Sequence, residues 1–298
     1  MVSENKPYKS VRLSIAKKDI IEYYNSLNKR ILKWSEIRNI LSENRGYWRV
    51  ATNTSTDKFI SFLLNETKLK EVKLDFPYRK EKRYVWEKAS FYEIILSLNP
   101  KSYFTHYSSM YLNGLTEQVP KTFYLNIEQK LKNLKNQGLS QKSIDFAFKN
   151  KTRVSSNIAN YDDKKICILN GKFTNLLGVK EIIGVNGEKI RVTDVERTLI
   201  DVTVRPIYSG GVFEVLKAFK MAKENVSINK LTAYLKKLDY TYPYHQAIGF
   251  YLGKSGVYNK SQIELLKKFK FKYDFYLTHQ LKDMDYSKEW KLYFPKEF

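Results

Sequence analysis

Between Lys17 and Val85 the apolar residues recur three times at helical spacing and then turn to alternation, an order that few compact folds satisfy. The stretch KKDIIEYYNSL sets Ile20, Ile21, Tyr24 and Leu27 on one helical face, and SEIRNILSEN offers Ser35 as an N-cap ahead of Ile37, Ile40 and Leu41. Thr54, with Asp57 three residues on, resembles a capping box before KFISFLLNE, whose Phe59, Phe62 and Leu63 make a third apolar face. LKEVKLDF then alternates as a strand, PYRKEK reads as a turn, and RYVW reads as the returning strand. Three short helices followed by a β-hairpin is the order of a winged helix-turn-helix.

That order predicts a DNA-binding surface. The third helix would lay Ser55, Thr56 and Lys58 against base edges in a major groove, and the hairpin would carry Arg79, Lys80, Lys82 and Arg83 to the adjacent phosphates. Charge agrees in sign: 53 Lys and Arg against 31 Asp and Glu give the 298-residue chain a formal +22. Residues 1–90 hold 20 basic and 11 acidic side chains, a net +9. Such an excess favours a polyanionic partner, most often nucleic acid. Only 11 of the 53 cations are arginine, however, and the chain is rich in Asn, Tyr, Ile and Phe, as an AT-biased coding sequence produces without any polyanion. Location therefore decides more than the sum, and the charge concentrates in the hairpin. Against this stands a plainer expectation, that such a fold serves protein interaction and that a charged hairpin tip is merely solvated.

Past Trp86 the charges spread out and helix and strand signals alternate. SFYEIILSL reads as a helix capped by Ser90, THYSSMYLNGL as one that stops at Gly114, and VPKTFYLNI as a strand after a proline turn. EIIGVNGEKIRV reads as a hairpin closed by Asn186-Gly187, the pair that a type I′ turn prefers because both residues take positive φ. VFEVLKAFKMA, INKLTAYLKKL and SQIELLKKF are amphipathic helices. The expected fold class is α+β, with a winged helix-turn-helix over residues 1–88 and a larger, helix-rich mixed domain over residues 89–298.

The most regular spacing of charge lies in VTDVERTLIDVTVRP. Thr193 and Glu196 form a T-x-x-E capping box, and Val195, Leu199 and Val202 make a buried face. Asp194, Arg197, Asp201 and Arg205 follow at spacings of three, four and four as an alternating ladder that Pro206 closes. Catalysis would need a nucleophile, a base or metal ligands nearby in sequence, and none is there. His106, His245 and His279 lack the spacing of a metal helix and read as core or surface residues. Cys167, in KICIL, reads as a small buried hydrophobe, and a single cysteine rules out an internal disulfide. The ladder therefore reads as structural, and the chain as a non-enzyme that uses neither cofactor nor metal. The start MVSENKPYKSVRLSIAKKDIIEYY lacks a signal-peptide pattern, and no apolar run reaches about 18 residues. A cytoplasmic protein with no membrane partner is expected.

One enzymatic alternative remains in the sequence. Asp274 is followed about fifteen residues later by Glu289-Trp290-Lys291, each expected on a strand, which is the spacing of a metal-dependent nuclease core. There the carboxylates would hold Mg²⁺ and Lys291 would position the attacking water. The motif is short and frequent by chance in a lysine-rich chain.

Two longer runs carry a family likeness. HYSSMYLNGLTEQVPKTFYL (His106–Leu125), with Gly-Leu-Thr-Glu-Gln at Gly114–Gln118, and VTDVERTLIDVTVRPIYSGGVFEVLKAF (Val192–Phe219), with Glu-Arg-Thr-Leu-Ile-Asp at Glu196–Asp201, resemble the AbiEi family of abortive-infection antitoxins. The likeness extends over most of the chain to EWKLYFP, and the segment ENRGYWRVATNTSTDK departs from it. The resemblance implies an antitoxin of a type IV toxin-antitoxin system, serving phage defence. It implies a transcriptional repressor whose winged helix binds inverted repeats in the double-stranded DNA of its own promoter. It also implies a C-terminal domain that counteracts a nucleotidyltransferase-like toxin without a stable complex, with Asp194, Glu196, Arg197, Asp201 and Arg205 as a candidate antitoxin face.

Overall fold

The computed structural model describes residues 11–131 and 138–298. Residues 1–10, part of the N-terminal stretch read for a signal peptide, lie outside them. The chain divides into two compact units, Met1–Leu98 with Ala159–Tyr161, and Asn99–Ile158 with Asp162–Phe298. The first boundary falls at Leu98 rather than at residue 88. A buried arginine, Arg83, explains the shift, because its guanidinium bonds the Ser97 hydroxyl at 3.1 Å and the Ser97 carbonyl at 3.2 Å.

In the first unit, α1 (Val11–Ile15), α2 (Lys17–Ser26), β1 (Ile31–Leu32), α3 (Trp34–Asn44), α4 (Thr56–Glu66), β2 (Leu69–Phe76), β3 (Arg79–Trp86) and α5 (Phe91–Leu96) follow one another. The three expected helices and the hairpin are present, and α1 and β1 are additions. β1 pairs antiparallel with β3 through Ile31–Val85 and Leu32–Tyr84, giving a sheet in the order β1-β3-β2. Helix starts differ in detail from the sequence expectation. Ser55, not Thr54, caps α4, its hydroxyl accepting the Lys58 amide at 3.3 Å. At α3 the Glu36 carboxylate accepts the Lys33 amide at 2.7 Å, which leaves Ser35 inside the first turn.

Aromatic side chains fill this unit's core. Tyr24, Trp48, Phe59, Phe62 and Trp86 are all buried, and burying each such ring stabilises the fold by about 1.5–3 kcal/mol. Trp48 stacks on Phe59 with ring centres 5.8 Å apart, so the long α3–α4 connection is packed into the core rather than looped out. Arg45 closes the same connection by bonding the carbonyls of Ala51 and Thr54.

The second unit holds β4 (Tyr103–Phe104), α6 (His106–Leu112), β5 (Thr122–Glu128), α7 (Gln141–Lys149), then β6 (Ile158–Tyr161), which the division splits, and β7 (Lys164–Gly171). β8 (Val179–Ile183), β9 (Lys189–Thr193), α8 (Val195–Val204), α9 (Val212–Met221), α10 (Ile228–Leu238), α11 (Tyr244–Ser255), α12 (Lys260–Lys267), β10 (Phe275–Tyr276), β11 (Met284–Ser287) and β12 (Leu292–Pro295) complete it. Its larger sheet runs β7-β5-β4-β9-β8 and is mixed, with β5 parallel to β7 and β8 antiparallel to β9. The β8–β9 turn is not type I′. Only Gly187 has positive φ, +82°, and the Gly184 amide bonds the Glu188 carbonyl, so three residues form the loop and Gly187 alone takes the left-handed position.

Helices α8 to α12 share one apolar core. The middle of α11 is buried without interruption from Gln246 to Leu252, which is why it shows no clean amphipathic stripe. Gly249 allows it: a Cβ there would lie 2.0 Å from the Trp290 ring. Gln246 fixes the same junction, its amide donating to the carbonyls of Tyr273, Trp290 and Lys291. The fold class is α+β. Among the described residues no helix is long and apolar enough to cross a membrane.

Candidate functional site

The hairpin predicted to reach DNA is organised differently from the sequence expectation. Its turn is Pro77-Tyr78, because Phe76 already pairs with Arg79, so RKEK belongs to β3 and not to the tip. Arg79 pairs with Glu81 at 3.3 Å, and Lys82 with Glu71 at 3.1 Å. Glu71 is also held by Lys73 at 3.0 Å; burial raises its pKa and the two lysines outweigh that, keeping it ionised. Lys80 is exposed and has no ion-pair partner among the described residues. Arg83 must be removed from the phosphate-contacting set. It is 3 % exposed, paired with Glu81 at 2.9 Å and bonded to main-chain carbonyls, so it holds α5 to the hairpin.

On α4, Ser55 and Lys58 are exposed and Thr56 is half-buried. Trp34 Nε1 donates to Asp57 Oδ1 at 2.8 Å, which locks the first turn of α4 to α3. The connection between these helices spans residues 45–55, longer than the roughly 3–4-residue turn of a minimal helix-turn-helix.

The α8 ladder is buried, from Val195 to Thr203 on every face. Asp194 is the N-cap and accepts the Arg197 amide at 2.8 Å, while Thr193 turns to the Thr198 hydroxyl at 2.9 Å; the expected Thr193–Glu196 box does not form. Glu196 instead accepts the Ser227 amide at 2.8 Å, serving the start of α10, and pairs with Lys230 at 2.9 Å. Lys230 also reaches Asp194, and Tyr234 donates to Asp194 at 2.9 Å. Burial opposes the Lys230 charge, and the two carboxylates outweigh it, raising its pKa.

Arg197 does not bridge Asp194 with its side chain. Its Nε bonds Asp201 at 2.7 Å, and Nη1 donates to the Leu177 carbonyl at 2.7 Å and the Thr174 hydroxyl at 3.2 Å. Burial works against its charge, and Asp201 above all overcomes that, so its pKa rises. Arg205 leaves the ladder altogether: it is exposed and bonds the Thr152 hydroxyl and the Arg153 carbonyl.

Arg197, Asp201 and Arg205 nonetheless line one cavity of about 390 Å³, together with Thr105, His106, Lys130 and Lys172. His106, at the first position of α6, has φ +52°, a left-handed conformation that is costly for a residue with a Cβ. The Thr105 hydroxyl makes no cap bond; it donates to Asp201 Oδ2 at 3.0 Å and meets His106 Nδ1 at 3.1 Å. With that proton committed to Asp201, His106 Nδ1 is the donor and Nε2 carries the lone pair. Burial pulls the His106 pKa down to about 4, so the ring is neutral at pH 7. Sequence spacing gave no sign of this site, because its members come from α6, β5, β7, α8 and the segments that flank them, far apart along the chain.

The nuclease motif is not laid out as expected. Asp274 accepts the Tyr286 hydroxyl at 2.6 Å, Glu289 pairs with Lys267 at 2.9 Å, and Glu289 and Lys291 sit in the β11–β12 turn, not on strands. Among the described residues no group of three His, Cys, Asp or Glu side chains is placed to hold a metal ion. His245 and His279 stack on Phe269 and Phe148, and Cys167 is buried in β7.

No protein-family model matches the chain, and no curated protein matches it. Among solved structures, the RV2827C protein from Mycobacterium tuberculosis is similar over 98% of this chain and 94% of that one, with a TM-score of 0.59 and 10% identity. At that identity the two share a fold, and the likeness carries nothing further.

Proposed function

We propose that this chain is a cytoplasmic DNA-binding repressor and antitoxin of the AbiEi type, its first unit a winged helix-turn-helix. The observation that carries the reading is the order α2-β1-α3-α4-β2-β3 with the sheet β1-β3-β2, which sets a helix with an exposed N-terminal turn beside a basic hairpin. Ser55 and Lys58 would face base edges, and Lys80, with Arg79 and Lys82, would meet phosphates. The carboxylate partners of Arg79 and Lys82 are no obstacle: Glu81 and Glu71 are half-buried, but both cations keep about half of their side chains in water, where a phosphate can reach them.

For the second unit, support is the packing of the two runs that carry the family likeness. Asn113, at the end of α6, donates to the Thr193 carbonyl at 2.8 Å and the Thr198 hydroxyl at 3.3 Å, tying one run to the other. In this reading the unit counteracts a nucleotidyltransferase-like toxin in phage defence, without a stable complex. The test has two arms. Gel shifts over a salt series compare the DNA upstream of the gene, with its inverted repeats, against a scrambled duplex; equal affinity for both removes the repressor. Co-expression with the adjacent gene reads antitoxicity; growth arrest that this chain does not relieve removes the antitoxin.

A further inference from the structure

Four features of the second unit converge on the cavity beside α8. First, Arg197 is 4 % exposed, yet its Nη2 makes no hydrogen bond among the described residues, although Nε and Nη1 are fully engaged. Those two N–H donors are not sealed from solvent, and Arg197 lines the cavity, so an acceptor that enters it can take them. Second, the charge of the lining is unbalanced. Asp201 cancels Arg197, whereas Arg205, Lys130 and Lys172 have no carboxylate partner among the described residues; Lys172 is held at the rim by the Leu238 and Asp239 carbonyls, which leave its charge uncancelled. Third, local structure is sacrificed here: His106 is held left-handed, and the Thr105 hydroxyl is diverted from capping α6 to Asp201. Such departures gather where a site must be held in one geometry. Fourth, about 390 Å³ lies within the range of small-ligand pockets.

We propose that this cavity binds a phosphorylated small molecule that also carries a hydroxyl, such as a nucleotide or a sugar phosphate. Arg197 Nη2 donates to the phosphate from the floor, and Arg205, Lys130 and Lys172 surround its charge. His106 Nε2, with no partner among the described residues and its proton fixed on Nδ1, accepts the ligand hydroxyl. A carboxylate ligand would leave most of the three uncancelled cations unanswered, whereas a phosphate carries about two charges and three acceptor oxygens. The inference is independent of DNA binding by the first unit.

Calorimetric titration of the full chain at about 150 mM salt, where the Debye length is about 8 Å and general attraction to a +22 protein is damped, tests it. The probes are ATP, ribose 5-phosphate and uncharged adenosine. One-to-one binding of ATP or ribose 5-phosphate is expected, with adenosine inert. Arg205→Ala should weaken it at least about tenfold, the loss of one charge-assisted hydrogen bond, and His106→Ala should weaken it less. Lys260→Ala, on α12 and outside the lining, serves as the charge control. Circular dichroism checks that each variant is folded. Failure of both phosphorylated probes to bind overturns the proposal. So does equal binding of adenosine, or an effect of Lys260→Ala as large as that of Arg205→Ala.

Discussion

On the β2–β3 hairpin, Glu71 is shared by Lys73 and Lys82, whose side chains are 63% and 53% exposed; on α8, Arg197 and Asp201 meet at 2.7 Å with side chains 5% and 7% exposed. Both regions alternate acids with bases, and a reader of sequence sees the same pattern twice. In water the pairs are interchangeable and weak, because solvent competes for each charge. Inside, each charge is fixed by several partners, and removing one strands the others. The hairpin's charges are thus available to a second molecule, and those of α8 belong to the fold, except where Arg197 opens on the cavity.

The sharpest way to break the comparison is Arg197→Ala, which leaves Asp201 buried without its counter-charge and should cost about 3–5 kcal/mol, read as a large fall in melting temperature. A fall no greater than that of a hairpin lysine variant would mean α8 is solvated. Arg83→Ala comes next. It should cost about 2–3 kcal/mol, as a buried charged donor to several acceptors, and weaken DNA binding only through unfolding, with the salt slope of the folded fraction unchanged. A salt slope lowered by about 0.9 at full stability would return Arg83 to the phosphate-contacting set.

A smaller effect is spread over pH. His106 and His245 have pKa values pulled by burial from 6.5 to about 4. Between those values the unfolded chain binds protons that the folded chain refuses. Stability is therefore whole above about pH 6.5 and lost as pH falls toward 4, by at most about 1.4 kcal/mol per pH unit for each histidine. Melting temperatures at pH 7, 6 and 5 should fall in step, and His106→Gln should flatten the series; an unchanged slope would place that loss elsewhere. The smallest expected effect on stability is that of Lys80→Ala, within about 0.5 kcal/mol. The same variant should lower the log-log salt slope of promoter binding by about 0.9, and an unaltered slope would take Lys80 off the DNA.

Periodicity made the first-unit helices and the hairpin legible because each buries one face against a single core, as Ile20, Ile37, Ile40, Phe59 and Phe62 do; of the residues set on those helical faces, Ile21 and Leu27 stay half-buried. The strand β1 was invisible, since two residues cannot show a period. The hairpin turn was misplaced because a charged run looks like a tip, although both faces of a projecting strand can be charged. α8 was found and its ladder misassigned: spacing reports which residues share a face, not which neighbours from Thr105, Thr174 or Ser227 will occupy their donors and acceptors. The cavity was illegible for the same reason, its residues being distant along the chain.

Gly249 and Trp290 lie 41 positions apart and fit only as a pair, the bare helix backbone receiving the ring. Such a fit ties two sites into a single heritable unit. A lineage that enlarges residue 249 must shrink residue 290 in compensation, and one that loses the tryptophan frees the glycine to drift toward better helix formers such as alanine. Across diverged relatives of this fold the two columns should therefore change together. That gives a marker for the helix–turn junction of the second unit which survives when overall identity has fallen too low to align by eye.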